Sequence, residues 1–129
     1  MSTYAAIFVM DEKTKKFNGV SVKYDGYVKN GVGETLFKYW NNYGKAVQLV
    51  SNTPSDIREL GTDINSISYF SDEPAKRREK FRDLSYDEML NQGKQFDYLY
   101  VMMVNDHTCW DWKVQFDDGF HSVSEFFEY

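Results

Sequence analysis

The sequence predicts an α+β fold, an antiparallel sheet of two hairpins with short helices packed on one face. Three observations carry this. Val20, Val22 and Tyr24 alternate with Ser21 and Lys23, and Trp110, Trp112, Val114 and Phe116 alternate with Asp111, Lys113 and Gln115, the period of two expected of half-buried strands. Leu36, Phe37, Trp40 and Tyr43 recur instead at helical spacing. The 129 residues show no internal repeat, low-complexity tract or interdomain linker, so residues 1–129 read as one domain, long enough to bury a core without staples.

Taken in order, Tyr4 to Met10 is nearly continuous in apolar character, which suits a strand that is central in its sheet or covered on both sides. The polar stretch 11–18 closes at Asn18-Gly19, and a hairpin to Val20–Tyr24 follows. Asp25-Gly26 stops that strand, because Asp hydrogen-bonds its own backbone and Gly takes positive φ without steric cost. A helix starts near Glu34, whose carboxylate meets the positive end of the helix dipole, and Gly44 is placed as its C-cap. Residues 45–50 form a second helical face, broken by Asn52-Thr53-Pro54-Ser55. Residues 55–61 read as one helical turn with a glycine stop, and Ile64, Ile67 and Tyr69-Phe70 as a short strand in preference to an irregular segment.

Beyond the charged stretch 72–82, Ser85 and Glu88 form a capping box and Gly93 ends the helix they open. Phe96 to Val104 is the strongest strand, with Phe96, Tyr98 and Tyr100 on one face and Leu99 and Val101 on the other. Asn105-Asp106-His107 turns the chain into the strand Trp110–Phe116. This hairpin should set one face on the core and one in water. Asp117-Asp118-Gly119 ends it, and a second capping box at Ser122 to Glu125 opens a last helical turn, Val123 to Glu128.

Composition bounds the function classes. Hydrophobic content of 42%, with 18% aromatic, supplies enough apolar surface to offset the entropy of ordering. Ten Tyr and three Trp also suit an exposed binding patch. The lone Cys109 excludes an intramolecular disulfide and suits a reduced, cytoplasmic setting. The seven-residue apolar run near the N-terminus is too short for a signal peptide or membrane span. The net charge of −5 argues against direct nucleic-acid binding by the chain as a whole. Residues 1–82 carry 13 Lys and Arg against 10 Asp and Glu, whereas residues 83–129 carry 2 against 10. That acidic, aromatic last third is either an ordinary solvated surface or one that attracts a basic partner, with Asp106, Asp111, Asp117, Asp118 and Trp110 as the candidate residues. The basic run Lys76, Arg77, Arg78, Lys80 and Arg82 is either an anion contact or a solvated segment.

The stretch Tyr24 to Trp40 holds the other candidate site. A strand, a loop with Gly26, Gly31 and Gly33, and a helix N-terminus together can present backbone N–H groups to a phosphate or carboxylate, with Tyr24 and Tyr27 able to stack a base. No lysine follows as in a P-loop, the glycines do not space as G-x-G-x-x-G, and Glu34 places negative charge where an anion would sit. The alternative is that the glycines only permit a tight connection. Other chemistry is thin. His107 and Cys109 lack a third partner unless His121 supplies it, so no metal, cofactor or catalytic residue is assigned.

The run DGYVKNGVGETLFKYW, followed by KAVQLVS and, past a turn, DIRELG, resembles small uncharacterised proteins of tailed bacteriophages and prophages. In these an Asp-Gly-Tyr, Gly-Val-Gly, Leu pattern precedes a helix and a leucine-rich turn. The match covers about a third of the chain, Val20 to Gly61, with a weaker echo in the aromatic strands near the C-terminus. The resemblance implies no catalytic residues. It implies a phage or mobile-element setting, in which small accessory proteins bind and disable host machinery.

Three functions are therefore open: a non-enzymatic interaction protein, phage-encoded and inhibiting a host defence or nucleic-acid-acting protein in the host cytoplasm; a nucleotide or small-anion binder using the Gly26–Gly33 loop; and a small enzyme acting on a nucleotide. If the acidic third recruits a basic partner, reversing Asp106, Asp111, Asp117 and Asp118 to lysine slows association and flattens its salt dependence, because rim charges act through steering. Association rates across a salt series check this, and unchanged on-rates and slopes would leave the segment a solvated surface.

Overall fold

A computed structural model of the protein describes residues 3–52, 57–69, 81–104, 110–116 and 119–127. Among these, seven strands form one sheet in the order β4-β3-β2-β1-β5-β6-β7. The strands are β1 (Ala5–Met10), β2 (Phe17–Val22), β3 (Ile57–Glu59), β4 (Ser68–Tyr69), β5 (Tyr98–Val104), β6 (Trp110–Phe116) and β7 (Gly119–Ser122). The helices are α1 (Val32–Tyr39), α2 (Tyr43–Asn52) and α3 (Tyr86–Gly93), with 3₁₀ turns at Ile64–Ser66 and Val123–Phe126. The fold is α+β, but the sheet is mixed rather than an antiparallel pair of hairpins.

β1 sits in the middle of that order. It pairs antiparallel with β2, from Ala5↔Val22 to Met10↔Phe17, and parallel with β5, from Ala5↔Tyr98 to Val9↔Met102. Its apolar run is continuous because both of its faces are covered, and Ala5 through Phe8 have no exposed surface. A second parallel pair, Val22↔Ile57, joins β2 to β3. Parallel neighbours need a long crossover, and here α1 and α2 supply it. The segment read as one helical turn at 55–61 is therefore corrected: Ile57–Glu59 is a strand, held by Val22 and by Lys23 N–H donating to the Ile57 carbonyl at 2.9 Å.

The crossover puts Leu36, Trp40, Ala46 and Leu49 against Ile7, Val22, Tyr100 and Trp112 on one face of the sheet. The other face packs Phe8, Phe17, Leu99 and Val101 against Phe81, which precedes α3, and against Met89 of α3. Helices thus lie on both faces, where one was expected, and β5 buries both sides instead of leaving one in water. Two buried tryptophans tie the first layer together. The Trp112 indole donates to the Trp40 carbonyl at 2.9 Å, and the Trp40 indole donates to the Gly61 carbonyl at 3.0 Å. Burying roughly 200 Å² per ring at about 25 cal/mol/Å² contributes on the order of 5 kcal/mol each, an upper bound for an extended unfolded chain.

Local signals explain the remaining boundaries. The β1–β2 reversal lies at Asp11–Lys16, not at Asn18-Gly19, which falls inside β2. The Asp11 carboxylate accepts the Thr14 and Lys13 N–H groups at 2.9 and 2.8 Å, and those bonds hold its pKa below the ordinary carboxylate value. Gly44 lies inside α2 and does not cap α1; Asn42 opens α2 instead, its side-chain oxygen accepting the Lys45 N–H at 2.8 Å. The Ser85 capping box forms with both bonds. The Ser122 box does not, because the Ser122 hydroxyl donates to Asp111 at 2.5 Å and so joins β7 to β6. Leu84 bridges Phe17 and covers part of the outer edge of β2.

Two measurements check this description. Amide hydrogen exchange is expected to be slowest in β1 and β5, which are paired on both edges and covered on both faces; slower exchange in β6 or α2 would contradict that centre. The second concerns Glu88, whose pKa is lowered from its ordinary value by hydrogen bonds from the Ser85 N–H and hydroxyl, helped by Lys16. A depressed carboxylate stabilises the fold above its unfolded pKa, and the contribution is lost as pH falls through the lower folded value. Glu88→Gln should therefore flatten the stability curve on the acid side only, measured by urea unfolding between pH 7 and pH 3.

Candidate functional site

The Gly26–Gly33 loop leaves β2 at Val22, crosses the start of β1 and enters α1. Its left-handed residues are not glycines. Asp25 and Asn30 take φ of 58° and 59°, and no glycine in the described residues has positive φ. Asn and Asp tolerate the left-handed region better than other side chains, so the turn chemistry falls on the residues before Gly26 and Gly31. Gly31 and Gly33 serve close approach instead. A Cβ on Gly31 would collide with the Asp25 carbonyl and lie 2.6 Å from that of Tyr27, and one on Gly33 would lie 2.7 Å from the Val28 Cα. The expectation that these glycines supply positive φ is corrected, while their role in a tight connection stands on these contacts.

That close packing also consumes helix donors. The Val32 N–H donates to the Asp25 carbonyl at 2.7 Å, and the Gly33 N–H to the Tyr27 carbonyl at 3.0 Å. The loop's own carbonyls thus occupy two of the first N–H groups of α1 that an anion would use. Gly26 is fixed from two sides. Its N–H donates to the Thr3 carbonyl at 3.0 Å, and its carbonyl accepts the buried Tyr100 hydroxyl at 2.6 Å. Burial pushes the Tyr100 phenol well above its ordinary pKa, so it remains a donor across the accessible pH range.

An open cleft of about 400 Å³ lies beside the start of α1, lined chiefly by Tyr24, Asp25, Asn30, Glu34, Thr35 and Glu59. Three of these are carboxylates, and Glu34 meets Lys38 at 3.3 Å in an exposed pair. The sign of this lining opposes a phosphate and favours a cationic group. Of the residues assigned to ligand binding, Tyr24 and Gly31 line the cleft, Gly26 is buried in the loop and Gly33 in the first turn of α1, and Tyr27 is not among the lining residues. Tyr27 is instead 46% exposed, with its ring edge-on to Tyr98 at 6.2 Å. Tyr4 is also exposed; its carbonyl accepts the Tyr98 N–H at 3.2 Å and its N–H donates to Asp97 at 2.9 Å. Tyr27 and Tyr98 therefore pair at the end of the sheet where the loop crosses, and Tyr4 meets Tyr98 there through its backbone carbonyl.

The partner-binding residues divide differently. Asp106, Asp117 and Asp118 lie outside the described residues, as do His107, Cys109 and the basic residues 76–80. Trp110 is half-buried, stacked on Tyr43 with ring centroids 3.9 Å apart. Asp111 is half-buried as well, accepts the Ser122 hydroxyl and meets Lys113 at 3.7 Å. Alternation along β6 sets Trp110 and Asp111 on opposite faces of the sheet. Arg82 donates to the Val50 carbonyl at 3.1 Å near the end of α2. His121 lies 3.8 Å from Glu125. Among the described residues no group of three His, Cys, Asp or Glu could hold a metal ion, and no helix is long and apolar enough to cross a membrane.

Sequence patterns miss Glu59, because residues 55–61 carry the pattern of a helical turn, and miss Tyr4 as a surface residue. The available signal for Tyr4 was its position at the head of the apolar run that continues from Ala5 to Met10. No protein-family model, curated protein or solved structure matches the chain.

The loop geometry separates two glycines. Gly33→Ala should destabilise the protein by about 1–3 kcal/mol through overpacking against the Val28 backbone. Gly44→Ala, whose Cβ would meet nothing nearer than the Asn42 side chain at 3.6 Å, should be neutral or stabilising by up to about 1 kcal/mol through helix propensity. Urea midpoints at constant slope measure both.

Proposed function

We propose that the chain is a non-enzymatic interaction protein, encoded by a phage or prophage, that binds and inhibits a host defence or nucleic-acid-acting protein in the host cytoplasm. The observation that supports it is the exposed Tyr27 ring, set edge-on to Tyr98 at the loop end of the sheet. Tyrosine is enriched at interfaces because a rigid amphipathic ring contributes large contact area, and partner hot spots favour it. The cleft at the same end, with Asp25, Glu34 and Glu59 on its lining, suits a partner that presents basic side chains. The resemblance of residues 20–61 to phage accessory proteins supplies the setting, and the net charge of −5 favours a protein partner over nucleic acid.

A second reading, a nucleotide or other small ligand, draws on the cleft itself, whose roughly 400 Å³ falls in the range of ligand pockets and whose wall includes Tyr24. The occupied N–H groups of Val32 and Gly33 and the acidic lining weigh against an anion there.

Capture from host lysate on the immobilised protein tests both, comparing wild type with Tyr27→Ser and Glu59→Lys and analysing bound proteins and released small molecules by mass spectrometry. We expect one host protein on the wild type, reduced at least about tenfold in the variants, which is near 1.4 kcal/mol of binding. No protein above a blank column, or equal recovery on folded variants, overturns the proposal. A nucleotide released on denaturation, with no protein captured, supports the second reading instead.

A further inference from the structure

We draw no further inference here: the strongest candidate, the open cleft between the start of α1 and β3, belongs to the site already described and is a helix N-terminus beside three carboxylates, with no bound group or buried unpartnered side chain to show what fills it.

Discussion

The parallel pairing of β1 with β5 is the constraint on which the rest depends. It brings together two strands separated by most of the chain, and neither β1 edge is left for solvent once β2 takes the other side. A strand paired on both edges and apolar throughout must be covered above and below, which calls for packing layers on both faces of the sheet. α1 and α2 cover one face and Phe81 with α3 the other. Such pairing closes a long loop before its contacts form, so its stabilisation must come from the burial that follows.

The loop entering α1 is a consequence of the same arrangement. Tyr100 lies on β5, directly beside Ile7, and its hydroxyl reaches the Gly26 carbonyl only because β5 runs next to β1. Left without that donor, the buried Gly26 carbonyl would cost roughly 1–3 kcal/mol. The glycines, the left-handed Asp25 and Asn30 and the Tyr100 hydrogen bond therefore describe one compact connection. Its economy is local: each carbonyl that turns inward to satisfy an N–H of α1 removes that N–H from any ligand.

What was legible in the sequence follows from which forces are local. Strand alternation at Trp112 and Val114, the continuous run Ala5–Val9, and the Ser85 capping box depend on neighbours within a few residues, and periodicity reports them. β3 was not legible, because a three-residue strand with one buried side chain, Ile57, has no period to read. Gly44 looked like a stop because α1 and α2 are separated by only three residues, and the competing signal, Asn42 as a cap, is equally common in loops. Ser122 satisfied a capping pattern in sequence, yet its hydroxyl found Asp111 across the sheet, a partner that no local rule supplies. Parallel pairing itself leaves no local trace, since a fully buried strand looks the same beside either kind of neighbour.

The candidate site was half legible for the same reason. The aromatic and glycine content between Tyr24 and Gly33 marked the loop and Glu34 already opposed an anion there, but the third carboxylate of the adjoining cleft, Glu59, is brought across by β3 from a segment 25 or more residues away. With Glu59 in place, Asp25 and Glu34 no longer stand as isolated surface charges near a helix start; they share a concavity, where low-dielectric walls strengthen the field of like charges. A phosphate would meet that field and find two helix donors already engaged. A lysine or arginine side chain carried by a protein would meet it favourably, with the exposed tyrosines at the same end of the sheet offering area for the rest of a contact. The topology that places β3 beside β2 thus adds Glu59 to Asp25 and Glu34 and makes the glycine-rich loop, open in sequence to either an anion site or a tight connection, one wall of an acidic surface.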